Sequence, residues 1–155
     1  MPKVEPGAKV PAFSLPATGG GTWRLKDAGG RALVIYFYPK DMTSGCTRES
    51  QDFRDLSAAF RKAGVEIVGI SRDSVASHEK FKAKEGLPFT LLADEEEEVC
   101  KLFDVIREKS LYGRKYLGIE RSTFLLDSKG VLRQQWRKVK VPGHAEEVLE
   151  AAKSL

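Results

Sequence analysis

Residues 32–38 read ALVIYFY, seven positions with no charged residue and no alternation. A strand with one wet face alternates apolar and polar side chains; this one must be buried on both faces, as strands of helix-covered parallel sheets are. The downstream residues fit that constraint. Phe53, Leu56, Phe60 and Ala63 recur at helical spacing, and Gly64 suits the position just past a helix end. VEIVGIS (65–71) is a second buried strand, DSVASHEKFKAKEG (73–86) a helix stopping at Gly86, and FTLLA (89–93) a short strand. This alternation predicts an α/β fold around parallel strands. RSTFLLD (121–127) and VLRQQWRKV (131–139), joined by Ser-Lys-Gly, predict a hairpin. The central sheet is therefore expected to be mixed and flanked by helices. GHAEEVLEAAKSL closes as a helix, and Phe13–Leu15 with Thr22–Leu25 can form a small N-terminal hairpin. Asp94 is expected to cap a short helix whose first turn is Glu95–Glu98. Residues 104–120 lack a clear period and are expected to be a surface connection.

The length, 155 residues, suits one domain spanning 1–155, with no repeat or linker to divide it. A net charge of +4, from 26 basic and 22 acidic side chains, is too mild to mark a nucleic-acid binder without a recognition motif. The most basic stretch, RQQWRKVK (133–140), reads as a solvated strand edge with one packed Trp136. No apolar run is long enough to span a membrane, and the N-terminus carries no signal-peptide pattern. Two distant cysteines do not form a disulfide scaffold, which points to a reducing, cytoplasmic setting.

One of those cysteines, Cys46, lies in YFYPKDMTSGCTRESQ (36–51), where the buried strand gives way to a helix. Its expected place is the first helical turn, where free amides and the positive end of the helix dipole stabilise a thiolate. Most free cysteines are small buried hydrophobes. Here the neighbours Thr43, Ser44, Thr47, Arg48 and Glu49 are polar, unlike those of a core helix. Arg48 is close but points along the helix; Arg121, at the start of a later strand, is the better donor, because a planar guanidinium can touch both thiolate and substrate oxygens. Cys46-Thr-Arg-Glu is not C-x-x-C. A cysteine hydrolase needs a His base, and neither histidine has a motif: His78 is expected to be solvated on a Lys-rich helix face, and His144 to help start the last helix. Two Cys and two His without close spacing do not resemble a metal site, and the acidic run 94–98 is accounted for as a capped helix.

Pro39-x-x-x-Thr43-x-x-Cys46 resembles the active-site motif of the peroxiredoxins. The wider FYPKDMTSGCTRE and KYLGIERSTFLLD resemble the Q-type, or bacterioferritin-comigratory-protein, branch, with similarity from PAFSLPATGG to VPGHAEEVLEAAKSL. The resemblance implies a thioredoxin-like fold and a thiol-dependent peroxidase acting on hydrogen peroxide and organic hydroperoxides, with no metal, haem or flavin. It implies Cys46 as the peroxidatic cysteine, Thr43 as the hydroxyl that holds the peroxide, and Arg121 as the stabilising cation. Pro39 shields the thiolate and Glu49 orients an arginine. Many members of the branch carry a second cysteine five positions on, where this chain has Gln51. The remaining thiol, Cys100, is expected on the buried side of a short helix, with resolution of Cys46 as its minor possibility. The resemblance then implies one-cysteine behaviour, with thioredoxin, glutaredoxin or a small thiol as outside reductant and a monomer or weak dimer as the assembly. A peroxide sensor or holdase using the same oxidised cysteine is the alternative.

Overall fold

The computed structural model describes residues 4–155. In chain order the elements are β1 (Ser14–Pro16), β2 (Thr22–Arg24), a 3-10 turn (Leu25–Ala28), β3 (Ala32–Phe37), α1 (Ser44–Lys62), β4 (Val65–Ser71), α2 (Val75–Glu85), β5 (Thr90–Ala93) and α3 (Glu98–Leu102). They continue with β6 (Ile106–Leu111), β7 (Arg114–Ile119), β8 (Ser122–Leu126), β9 (Leu132–Trp136) and α4 (His144–Lys153). The central sheet has the order β5-β4-β3-β8-β9. β3, β4 and β5 run parallel, while β8 is antiparallel to β3 and to β9. This is the mixed, helix-flanked, thioredoxin-like sheet that the sequence leads one to expect, and β1–β2 is the expected N-terminal hairpin.

β3 sits mid-sheet, and its side chains alternate between two cores. Leu33, Ile35 and Phe37 face one, with Phe103, Phe124 and Cys100. Val34, Tyr36 and Tyr38 face the other, with Phe53, Phe60 and Cys46. The strand looks uniformly apolar because both faces are covered. α1 is fixed to the second face by Phe53 and Phe60, both fully buried; truncating either costs about 3–5 kcal/mol. Tyr36 stacks on Phe53 at 4.9 Å between ring centroids, and its hydroxyl lies 2.8 Å from Ser50 Oγ. The ring has room because its neighbour on β4 is Gly69, where a Cβ would come within 2.8 Å of Tyr36 Cζ and 2.9 Å of Leu91 Cδ2. α1 is also tied to the end of α2: Gln51 Nε2 donates to Glu85 Oε1 at 2.8 Å, and Arg54 Nη1 to the Glu85 carbonyl at 2.8 Å.

Residues 104–120 are not a plain surface connection; most of them form the β6–β7 hairpin. Its base, Val105, Ile106 and Ile119, packs into a core, while Leu111, Tyr112, Tyr116 and Leu117 are exposed. A two-stranded ribbon with little burial has no need of a period-two apolar pattern, so the sequence shows none. Tyr112 and Gly113 both have positive φ, 51° and 78°, as a tight two-residue turn requires. α3 begins at Glu98, later than expected, after Glu97 in the left-handed region. Asp94 still serves it, since its Oδ2 accepts from the Cys100 amide at 2.6 Å. Among the described residues no helix is long and apolar enough to cross a membrane.

Candidate active site

Cys46 is the third residue of α1. The helix starts where it does because Thr43, in extended conformation at φ −86°, occupies the N-cap, and Thr47 N makes the first helical bond to the Thr43 carbonyl at 2.9 Å. The amides of Ser44, Gly45 and Cys46 therefore precede the ladder and present N–H groups at the positive end of the helix.

The helix start, brought up by β3, meets the turn between β7 and β8, which delivers Arg121. Its Nη2 donates to Cys46 Sγ at 3.4 Å and its Nη1 to Glu49 Oε1 at 2.6 Å. The guanidinium lies against Gly45, where a Cβ would stand 3.2 Å from Nη2. Burial works against the Arg121 charge, but Glu49 and Cys46 outweigh it and hold its pKa above the ordinary arginine value. The outcome for Glu49 is different. Burial outweighs the guanidinium and pushes its carboxyl up to about 7, and its Oε2 has no hydrogen-bond partner. The pair thus joins a permanent cation to a carboxyl that titrates near neutrality.

Thr43 is exposed, and its hydroxyl donates to the Lys40 carbonyl at 2.8 Å, which leaves its oxygen lone pairs outward. Pro39 follows β3 and is half-buried. Of the residues singled out in the sequence, Cys46, Glu49 and Arg121 are in direct contact, and Pro39 and Thr43 lie in the loop leading to the thiol. Cys100 is fully buried in the core on the opposite face of the sheet. Burial, with Asp94 alongside, pushes its thiol pKa well up.

Residues 6–135 match the model of the AhpC/TSA family. The chain belongs to that family. Peroxiredoxin Bcp of Xanthomonas campestris pv. campestris is 55% identical over 144 residues, 92% of this chain and 90% of the relative. Peroxiredoxin Bcp of Bacillus subtilis is 47% identical over 152 residues, 98% and 97% of the two chains. Among solved structures, Xylella fastidiosa PrxQ superposes with a TM-score of 0.92 at 42% identity, covering 97% of this chain and 96% of that one. A structure described for the alkyl peroxide reduction activity of Xanthomonas campestris bacterioferritin comigratory protein superposes with a TM-score of 0.87 at 54% identity, covering 92% and 90%. The chain is thus a peroxiredoxin of the Bcp or Q branch, and as such a thiol-dependent peroxidase.

Two features of this peroxiredoxin's site leave no mark in the sequence. Lys109, on β6, is half-buried; burial and then Arg121 push its ammonium pKa down. It sits in the segment whose hairpin the sequence does not announce. The second feature is a correction. His78 is fully buried, not solvated, with Nδ1 2.8 Å from Asp41 Oδ2 and Nε2 2.9 Å from the Leu92 carbonyl. α2 turns its lysines outward and buries His78 with Phe81, so a Lys-rich context misleads. Asp41, Asp73 and His78 bring ligand-type atoms within 4.8 Å of one another, but those atoms already bond to each other's neighbours or backbone. His144 does begin α4; its Nε2 lies 2.8 Å from Thr123 Oγ1, and burial pushes its pKa down to about 4.

Proposed function

We propose that the chain acts as one peroxidase unit in which Cys46 reduces hydrogen peroxide and organic hydroperoxides. The observation that carries the reading is the Arg121 guanidinium, which touches both Cys46 Sγ and Glu49 at the open start of α1. Attack by the Cys46 thiolate on one peroxide oxygen forms an S–O bond and breaks the O–O bond. The departing oxygen takes a proton and leaves as water or an alcohol, and Cys46 is left as a sulfenic acid. Negative charge spreads over sulfur and both oxygens in the transition state. Arg121 and the amides of Gly45 and Cys46 are fixed donors for that charge, which is where such donors lower a barrier. The Thr43 hydroxyl, whose proton is engaged by the Lys40 carbonyl, accepts the peroxide O–H. Glu49 orients Arg121, and Pro39 limits access of water to the thiolate. The activity described for the Xanthomonas campestris relative supports organic peroxides as substrates.

Recycling falls to an outside thiol, because position 51 is a glutamine and Cys100 lies in the other core. Thioredoxin, glutaredoxin or a small cytoplasmic thiol attacks the sulfenic acid, releases water and leaves a mixed disulfide that a second thiol resolves. The test is peroxide consumption by the purified protein, first with dithiothreitol and then with thioredoxin and its reductase. Turnover that disappears with Cys46→Ser supports the reading; turnover in that variant at the native rate overturns it.

A further inference from the structure

Beneath the loop that leads from β3 to Cys46 lies a buried polar cluster to which the peroxide chemistry assigns no task. Asp41, fourth in that loop, is 3% exposed and His78 is 0% exposed. Asp41 Oδ1 accepts from the Tyr38 hydroxyl at 2.6 Å, and Oδ2 accepts from the Ser77 hydroxyl at 2.8 Å. Oδ2 also lies 2.8 Å from His78 Nδ1. The other ring nitrogen, Nε2, lies 2.9 Å from the Leu92 carbonyl oxygen. A carbonyl cannot donate, so Nε2 carries a hydrogen. A carboxylate cannot donate either, so the contact at Nδ1 needs a proton of its own. That proton sits on the imidazole or on Asp41. Two hydroxyls besides the imidazole point at the Asp41 carboxyl, the environment of a carboxylate rather than an acid. Burial opposes its charge, but His78, Tyr38 and Ser77 outweigh burial and hold Asp41 below the usual carboxylate range. Tyr38 remains a phenol, because burial raises its pKa far above the ordinary value.

We propose that His78 is a positioning residue: as a buried imidazolium it holds the Asp41 carboxylate and so fixes the loop that presents Thr43 and the first amides of α1 to peroxide. The proposal rests on the reading of Cys46 as the peroxide-reducing thiol. The loop needs such an anchor. Met42, between Asp41 and the N-cap Thr43, has φ 66°, a conformation a non-glycine residue keeps only where its neighbours over-determine it. The backbone of Asp41 is held as well. Its amide donates to Asp73 Oδ2 at 2.9 Å, and that same oxygen accepts from Ser71 Oγ at 2.6 Å. Around the imidazole stand Tyr38, the residue after β3, its hydroxyl 3.3 Å from Nδ1, and Asp73 from the turn after β4. α2 contributes Ser77 and β5 a backbone carbonyl, and His78 is the cation that bears on Asp41 among the described residues.

The test has a spectroscopic and a kinetic arm. With ¹⁵N-labelled histidine, both ring nitrogens of His78 should show protonated-range shifts at neutral pH, the signals being assigned by their loss in His78→Asn. In Asp41→Asn, Nδ1 should lose its proton at neutral pH. An unprotonated Nδ1 in the wild-type protein overturns the ion pair. Single-turnover oxidation by peroxide should slow at least about tenfold in His78→Leu, the scale expected when a reacting group is displaced by a fraction of an ångström. His78→Asn, which keeps a donor where Nδ1 was, should lose clearly less. Alkylation of Cys46 by iodoacetamide, which does not use Thr43, should slow less than the peroxide reaction in His78→Leu. A folded His78→Leu protein that reacts with peroxide at the wild-type rate overturns the positioning role; if that variant does not fold, the nitrogen shifts decide. Failure of the wild-type protein to react with peroxide instead removes the reading of Cys46, while the shifts still judge the ion pair.

Discussion

Cys46 and Cys100 are both buried, both within helices, and on opposite faces of one sheet. Their settings differ in what surrounds the sulfur. Cys46 has the open start of a 19-residue helix and a guanidinium 3.4 Å away. Cys100 has an apolar core, and the group whose charge bears on it most is the Asp94 carboxyl, so its thiol stays protonated. Burial alone yields an inert thiol. A reactive one needs a cation and unpaired amides that the fold has already desolvated.

The sharpest way to break this contrast is to exchange the consequences of losing each sulfur. Cys46→Ser should lower the peroxide rate constant by more than about a thousandfold, as removal of a covalent nucleophile does. Cys100→Ser should leave turnover with dithiothreitol within about twofold, because Cys100 touches none of the reacting groups. Stopped-flow peroxide kinetics on both variants decide it, and equal losses would erase the distinction.

The next largest effect isolates the cation. Arg121→Ala should cost about a hundredfold or more in the peroxide rate constant, the scale of losing a transition-state donor. Arg121→Lys should recover only part of it, since an ammonium keeps the charge but cannot bridge Sγ and Glu49 with two nitrogens. Full recovery by lysine would reduce the role of Arg121 to charge alone. Thr43→Val should slow the reaction by about tenfold or more, and Thr43→Ser by much less, because the proposed role of the hydroxyl is to accept a hydrogen bond from the peroxide O–H. Equal constants for Val and Ser would remove the hydroxyl from the mechanism.

The smallest effect concerns the unequal ion pair. Burial raises the Glu49 pKa from 4.5 to about 7, so folding favours its neutral form. That contribution to stability is fully present below pH 4.5 and is lost as pH rises through about 7. Glu49→Gln should therefore be more stable than the wild-type protein at pH 8 by about 3 kcal/mol and nearly equal to it at pH 4. Urea denaturation midpoints at the two pH values test this; a Gln variant less stable at pH 8 would mean that the bond to Arg121 outweighs burial.

How much of this was legible in the sequence depended on whether a residue's partners leave a local pattern. β3, β4 and α1 announce themselves because burial writes a period into neighbouring residues. The thiol, its helix terminus and the distal arginine were legible through residue type and position. The β6–β7 hairpin was not, since its exposed faces impose no alternation. His78 was missed because its partners, Asp41 and Leu92, are 37 and 14 residues away and its sequence neighbours are lysines. Gln51 was legible as an absent thiol, but not as the residue that pins α1 to Glu85.

The central claim is that the two sulfurs act separately, and intact-mass analysis after one equivalent of peroxide, with a sulfenic-acid trap present, tests it most directly. A bridge would need their Cα atoms within about 7 Å, and the sheet stands between them. One trap adduct is expected, mapping to Cys46, with Cys100 still a free thiol. A loss of two hydrogens, mapping to a Cys46–Cys100 disulfide formed at the rate of turnover, would contradict it.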